Sequence, residues 1–366
     1  MKNTYGTNLG ITLFGESHGP YIGAVLDGLA PGIRIDEDYI RAQLTLRRPA
    51  GTISTARVET DEFILASGVY NGMTTGTPLC ILIPNKAQHS DDYKKTMGAA
   101  RPGHADYTAR CKYHGYENFN GGGHFSGRIT AALVAAGAIV LPALKTKGIS
   151  IGTHIKSCAG ISDREFGDLN TDIEELNGKL FAVLDATKAE DMLKAMEAVA
   201  AEGDSVGGIL ETAVTGMPAG AGEPWFDTLE GLLSHILYSV PAVKGVQFGA
   251  GFDMAESRGS EFNDPFRMAD GRVVTTTNHN GGINGGISNG MPIIFRCAVK
   301  PTPSIYKEQD TIDLSTMTDT KLSIQGRHDP AIIHRARVVV DSVTALCLYD
   351  VLAGRYGTDY FAGVWQ

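Results

Sequence analysis

The chain has 366 residues, a net charge of −9, 43% hydrophobic and 20% charged residues. That balance builds a sizeable core and excludes a disordered tail or a chain whose bulk charge would draw nucleic acid or an anionic membrane. Five scattered cysteines (Cys80, Cys111, Cys158, Cys297 and Cys347) include no Cys-x-x-Cys pair, which argues against a disulfide framework and a zinc site and predicts a reducing, cytoplasmic location.

The N-terminus lacks the apolar run of a signal peptide, and no window reaches the ~20 uninterrupted apolar residues of a membrane span. In chain order, a strand is predicted at Leu9–Phe14, followed by GESHG and a second strand ending in a Pro-Gly turn. Asp36 can cap a helix from Glu37 to Arg47, with Ile40 and Leu44 four apart on one face. Arg47, Arg48 and Pro49 end it. Paired strands follow in RVETDEFILASGVYNG, and PLCILIPN reads as a short buried strand. HSDDYKKTMGAA reads as polar surface.

The segment Arg101–Arg128 follows. Three glycines, Gly121–Gly123, stand between an Arg/His-rich stretch and an apolar, Ala-rich run that reads as a buried helix. Glycine allows positive φ and close backbone approach. A helix N-terminus beside such a turn attracts anions, because its free N–H groups and its dipole both favour negative charge. Beyond it, GISIGTHIKSCAGI reads as strand and residues 162–180 as an acidic surface insertion. ATKAEDMLKAMEAVAAEG reads as an amphipathic helix, with Met192, Met196 and Val199 on one face and Gly203 as its stop. Residues 225–240 read as helix. A Gly/Asn-rich loop then runs into a strand, and GRHDP enters the last helix.

Two internal echoes stand out. An offset of 188 superposes Ser17 on Ser205, Gly28 on Gly216 and Gly32 on Gly220. An offset of 214 aligns GMTTGTPLCILI with GISNGMPIIFRC. They predict one domain spanning 1–366 with a duplicated unit, roughly 9–145 and 203–352. Hairpin-like connections favour α+β with antiparallel sheets over a doubly wound parallel sheet. No Rossmann GxGxxG and no GxxxxGK[ST] is present.

The chemistry-bearing residues fall in four clusters: Glu16-Ser17-His18, Arg47-Arg48, the 101–128 segment, and Arg327-His328-Asp329 with His334, Arg335 and Arg337. They hold many arginines, several histidines and few acids. Arginine forks match carboxylates and phosphates, so a small ligand with several negative charges is expected, and histidine adds proton transfer near neutrality. Ser17 beside His18 lacks a G-x-S-x-G setting and no HExxH is present. His89, His114, His154, His235 and His279 read as structural. On the residues alone, a phosphate-ester hydrolase or lyase and a non-catalytic binder of a phosphorylated metabolite remain open.

The strings FGESHG, RRP, AARPGHADYT, GGG-x-x-S-x-R, EGDSVGG, AVKGVQFGAGF, NGGI-x-GGISNGMPI, KPTPS and GRHDP occur in the order seen in the chorismate synthase family, and over almost its whole length the chain resembles that family. The resemblance implies a single β-α-β sandwich domain with pseudo-symmetric halves, assembled as a homotetramer. It implies an anti 1,4-elimination of phosphate from 5-enolpyruvylshikimate 3-phosphate, giving chorismate at the end of the shikimate pathway, with reduced FMN (FMNH2) required but no net redox change.

Residue by residue, it implies that Arg47, Arg48, Arg101, Arg128 and Arg335 hold the substrate anions and that His18 protonates the leaving phosphate. His104 would serve the N1/O2 edge of the flavin. Ser17, Ser126 and Asp329 would relay protons, Asp329 through flavin N5. Flavin contacts would come from His124, Phe125, Ser126, Pro241, Ala242, Gly285, Lys300, Pro301, Thr302, Pro303, Ser304 and Arg327. Many members carry Arg-Ser-Ser where this chain has His124-Phe125-Ser126, and a further Arg near Ile53. The chain's length leaves no room for an added reductase domain, so an external flavin reductant is expected, and neither nucleic acid nor membrane as a partner.

Overall fold

The computed structural model describes residues 2–49, 61–86, 98–324 and 329–363. Ile53, His89, Arg327 and His328 lie outside the described residues. The first part of the chain runs β1 (Thr4–Tyr5), β2 (Gly10–Gly15), β3 (Tyr21–Asp27), α1 (Glu37–Arg47), β4 (Ile64–Ser67), β5 (Val69–Tyr70), β6 (Met73–Thr74), β7 (Leu79–Pro84), α2 (Asp106–Tyr113) and α3 (Thr130–Thr146). It continues with β8 (Ser150–Cys158), β9 (Ile161–Ser162), α4 (Leu169–Asn177), α5 (Ala186–Ala201), β10 (Gly208–Thr215), α6 (Leu229–Leu237), β11 (Val243–Phe248) and α7 (Gly259–Phe262). The last part holds the hairpins β12 (Phe266–Ala269) with β13 (Arg272–Thr275) and β14 (Ile283–Asn284) with β15 (Ile287–Ser288), then β16 (Ile293–Val299), β17 (Gln309–Asp313), β18 (Thr318–Leu322) and α8 (Ile333–Tyr356).

Two five-stranded antiparallel sheets form, in the orders β1-β2-β3-β7-β4 and β11-β16-β10-β8-β9. The orders match strand for strand when β2, β3, β7 and β4 are set on β8, β10, β16 and β11. The helices follow suit: α1 and α6 come after the second strand of each unit, α3 and α8 after the last. Gly28 and Gly216, superposed by the sequence echo, close equivalent turns at φ 102° and 78°. A Cβ there would lie 1.9 Å from the Asn8 carbonyl oxygen and 2.0 Å from that of Gly148, so neither turn admits a side chain. In the strand ladder the second unit begins at β8, well before residue 203, because β10 pairs with Ser150–Cys158. The echo misses this strand because a pleated ladder needs alternation and shape rather than particular residues.

The helix over 37–47 forms with its expected bounds, and Asp36 accepts the Tyr39 N–H at 2.9 Å. Residues 225–240 divide into a 3-10 turn at Trp225–Asp227 and α6, whose N-terminus is capped by the Thr228 hydroxyl. The stretch Gly127–Thr146 is long and apolar enough to cross a membrane by length and composition, yet 78% of it is buried within the fold. It is apolar all round because α8, α1 and strands of both sheets surround it. Gly137 lets α3 approach α8 closely: its absent Cβ would fall 2.3 Å from the Ser342 Cβ.

Residues 162–180, expected as a surface insertion, carry α4, which lies on β8 with Ile173 and Leu176 buried. Glu174 and Glu175 face outward, which is what the composition registered, whereas Asp172 is buried and bonded to Arg164. Beneath this layer His154 is fully buried, with Nδ1 2.7 Å from Asp163 and Nε2 3.0 Å from Glu211. Arg296 donates to the other Glu211 oxygen at 2.6 Å. Two carboxylate acceptors require a proton on each ring nitrogen, so His154 is an imidazolium. Burial opposes that charge, but the hydrogen bonds to Asp163 and Glu211 outweigh it and raise the His154 pKa. The sign follows: a raised folded-state value adds stability that is complete below about pH 6.5 and is lost as pH rises through the raised value. His154→Asn is therefore expected to flatten the alkaline limb of the unfolding free energy measured in denaturant. An unchanged slope would show that His154 contributes none of it.

Candidate active site

The N-terminal ends of α3 and α8, the end of α1, the α6–β11 connection and the loop after β16 meet at a cavity of about 650 Å³. That size lies within the usual range of small-molecule and cofactor sites. Ile129 and Leu133 on one side, and Ile332, Ala336 and Val339 on the other, give it an apolar floor. Its walls carry five cations, Arg47, Arg128, Lys244, Lys300 and Arg335, together with Asp329, His104 and His124.

The arginine side is organised by a carboxylate that the sequence reading missed. Asp61 has no exposed side-chain surface and accepts from Arg47, itself 2% exposed, at 2.9 Å. Arg128 also donates to Asp61, and the Arg48 Nε lies 3.7 Å from it. Burial alone would raise the Asp61 pKa, but the two guanidiniums of Arg47 and Arg128 hold it below the ordinary carboxylate value. Arg128 further donates to Asn85 at 3.1 Å, and Asn85 in turn holds the Glu16 and Gly19 carbonyls. Arg335 donates to the Arg47 carbonyl at 2.8 Å and to Asp329. Arg47, Arg128 and Arg335 thus line the cavity, whereas Arg48 and Arg101 are not part of its wall.

On the histidine side, Arg101 and His104 share one carboxylate. Asp106 accepts from Arg101 Nε at 2.8 Å, from Arg101 Nη2 at 2.7 Å and from His104 Nδ1 at 2.8 Å. The glycine turn packs on these groups. A Cβ on Gly121 would meet the His18 ring at 1.9 Å, one on Gly122 would lie 3.4 Å from His104 Cε1 and Nε2, and one on Gly123 would strike the Asn118 carbonyl. All three glycines have positive φ. The space left by the missing side chains therefore holds imidazole rings and backbone of the protein itself.

Ser17 donates its hydroxyl to the Asn120 carbonyl at 3.2 Å and lies 3.1 Å from His18 Nδ1. With the serine proton committed, His18 Nδ1 carries the hydrogen shared between them. Ser17 and His18 adjoin the turn but are not part of the cavity wall. His124 donates Nδ1–H to the Gly15 carbonyl at 2.7 Å, and Ser126 accepts the Arg128 N–H at 3.2 Å; both line the cavity with Phe125.

The opposite wall holds Pro241, Ala242, Lys300, Thr302 and Pro303. Ala242 has φ 74°, a left-handed conformation that costs a non-glycine residue roughly 1–2 kcal/mol and that collects at binding sites. Burial, and then the charge of Lys244, lower the Lys300 pKa. Two repelling ammoniums at one wall favour an incoming anion. Lys244 was missed from the sequence, although it sits inside the AVKGVQFGAGF string. Thr302 Oγ1 is buried at this wall with no hydrogen-bond partner among the described residues. Pro301 and Ser304 flank these positions in the chain. Gly285 lies in the β14–β15 turn away from the cavity wall, and Arg327 is outside the described residues. Arg337, grouped with the anion cluster from its spacing, is buried and instead binds Asp341 and the Leu176 and Lys179 carbonyls at the end of α4. Burial lowers the neighbouring His334 to a pKa of about 4, so that ring is neutral near pH 7. No cluster of metal-ligating side chains occurs among the described residues.

The family described as "Chorismate synthase" matches residues 9–353. The chain is 45% identical over 361 residues to the chorismate synthase of Pyrococcus abyssi, covering 99% of this chain and 98% of that protein. It is 44% identical to that of Dehalococcoides mccartyi over 96% of both chains. A crystal structure of chorismate synthase superposes with a TM-score of 0.76 at 27% identity, covering 96% of this chain and 94% of the other.

Proposed function

The chain belongs to the chorismate synthase family, and on that premise we propose that its cavity takes reduced FMN together with 5-enolpyruvylshikimate 3-phosphate. The activity is that of the family: a lyase that removes phosphate from this substrate to give chorismate, in the shikimate pathway to aromatic amino acids. The observation that carries the two-ligand reading is five cations around one apolar floor. An apolar floor suits stacked rings, and the cations suit one phosphate, two carboxylates and the phosphate of a nucleotide.

The residues fit a flavin on three counts. Thr302 offers an unpartnered hydroxyl, Lys244 and Lys300 crowd positive charge at one wall, and Ala242 turns its backbone in a strained φ. His124, Phe125, Ser126, Pro241, Ala242, Lys300, Pro301, Thr302, Pro303 and Ser304 are the residues we assign to it, with Gly285 and Arg327 carried from the family resemblance. When bound, reduced FMN supplies the electron-rich ring on which departure of phosphate and loss of the C6 hydrogen depend, without net redox change.

Arg47, Arg128 and Arg335 bind the substrate anions, assisted by Arg48 and Arg101 at the margin. Asp61 keeps the first two arginines apart and aimed. His18 gives its proton to the leaving phosphate, and Ser17 holds the ring by Nδ1. His104 offers Nε2 to the cavity, while Ser126 and Asp329 pass the substrate proton. Asp329 is steadied for this by Arg335. The exposed large apolar side chains Trp225, Phe226, Phe252, Phe266 and Met268 are the support for the homotetramer, because such side chains are favoured at subunit contacts. The reductant is external, the location is cytoplasmic, and neither nucleic acid nor membrane takes part.

Anaerobic incubation of the protein with photoreduced FMN and the enolpyruvyl substrate is expected to release equal amounts of phosphate and chorismate. NADPH with oxidised FMN is expected to give none. Phosphate release without flavin would overturn the cofactor, and turnover driven by NADPH would overturn the external reductant.

A further inference from the structure

We propose that Asp106 is a positioning residue of this reaction: its carboxylate fixes His104 with the proton on Nδ1 and Nε2 facing the cavity, and it sets the Arg101 fork in the same act. Every polar contact of Asp106 points this way. Its Oδ1 accepts from His104 Nδ1 at 2.8 Å and from Arg101 Nη2 at 2.7 Å, and its Oδ2 accepts from Arg101 Nε at 2.8 Å and from the Arg101 backbone N–H at 2.9 Å. An ionised carboxylate only accepts. The hydrogen between Asp106 and His104 must therefore come from the ring, so a neutral His104 keeps its lone pair on Nε2.

Three observations support the ionised state and the orientation. Burial opposes the charge of Asp106, but hydrogen bonds from Arg101 and His104 outweigh it and lower its pKa far below the ordinary carboxylate value. Asp106 opens α2, where the helix dipole favours an anion. The His104 ring itself lines the cavity, and Gly122 at φ 93° packs beside its Cε1–Nε2 edge, where a Cβ would stand in ordinary contact at 3.4 Å. The charged groups nearest the ring are Asp106 and Arg101 from its own segment. Across the cavity wall is Lys300, whose ammonium donates to the Gly103 carbonyl. Arg101 spends Nε and Nη2 on Asp106.

The use of this arrangement follows from the chemistry at Nε2. A histidine free to exchange tautomers presents Nε2 as a donor in one form and as an acceptor in the other. A carboxylate at Nδ1 removes that ambiguity. The logic is that of an oriented base held by a third group. Partners of this kind are worth roughly 10–100-fold when lost from metal-bound histidines, and a similar loss is expected here.

The deciding measurement is ¹⁵N-edited NMR of the histidine rings in the protein without flavin, with His104 assigned by its loss in His104→Gln. The wild type is expected to show the Nδ1–H tautomer at high pH. Asp106→Asn is expected to shift His104 toward Nε2–H and cut kcat by about 10–100-fold with KM for the substrate changed less. Asp106→Glu is expected to restore the tautomer and part of kcat. A wild-type His104 carrying its proton on Nε2 would overturn the proposal, whatever the variants do. So would an Asp106→Asn enzyme that loses activity while the His104 tautomer stays unchanged, since that pattern means a merely structural role. The ring measurement needs no turnover, so it stands apart from the function proposed above, on which only the kcat arm rests.

Discussion

Asp61→Ala is expected to destabilise the protein by about 3–5 kcal/mol, the size typical of breaking a buried ion pair by removing one partner. The carboxylate has no exposed surface and binds Arg47 and Arg128, which are 2% and 8% exposed in their side chains. Without it, two guanidiniums face each other where water cannot screen them. Asp61→Asn keeps the shape and removes the charge, so it separates repulsion from packing. In both variants the doubly anionic end of the substrate is expected to recover more stability than it adds to the wild type, because its own anions replace the lost one. The pH dependence has a definite sign. The Asp61 pKa is lowered on folding, so its contribution is present above the ordinary carboxylate range and is lost as pH falls through the lowered value. Chemical denaturation from neutral to acid pH, with and without substrate, measures both effects. If Asp61→Asn matches the wild type in midpoint and acid limb, Asp61 does not organise the arginines.

The second large effect is catalytic. His18→Ala and His104→Ala are each expected to lower kcat by roughly 10²–10⁴, the usual worth of a positioned acid or base, with little change in the unfolding midpoint. Both rings are held at Nδ1, His18 by Ser17 and His104 by Asp106, and both pack on the same glycine turn. Steady-state rates with reduced FMN supplied in excess test this. Near wild-type rates in both variants would remove the acid–base assignment. A loss confined to KM would make the rings binding groups instead. Because Gly121 closes on His18 with no room for a Cβ, Gly121→Ala is expected to reproduce the His18 defect without touching its chemistry.

These two results also mark where reading the chain stops. The arginines and histidines were visible in the sequence because they sit in compact, Gly-flanked strings, and the helix from Asp36 to Arg47 was visible because capping and spacing are local. The carboxylates that govern them were not. Asp61 lies 67 positions from Arg128, and nothing local distinguishes it from the acids around it. Asp106 stands two residues from His104, but its reach back to the Arg101 side chain depends on the turn that begins α2. Residues 162–180 looked like a surface insertion because their acids dominate the composition, whereas the burial of Ile173 and Leu176 depends on a sheet assembled from distant strands.

The sequence by itself determined the family, the reaction and the α+β class, because each rests on short strings or local periodicity. Tertiary structure decided which arginines face the cavity, that Arg337 binds the end of α4 instead of an anion, and that Lys244 joins the wall. It also decided that one glycine turn serves two histidines. For the arginines the physical reason is one. A buried charge takes its partner from whatever element the fold brings within hydrogen-bond reach, and that choice is made across the chain, not along it.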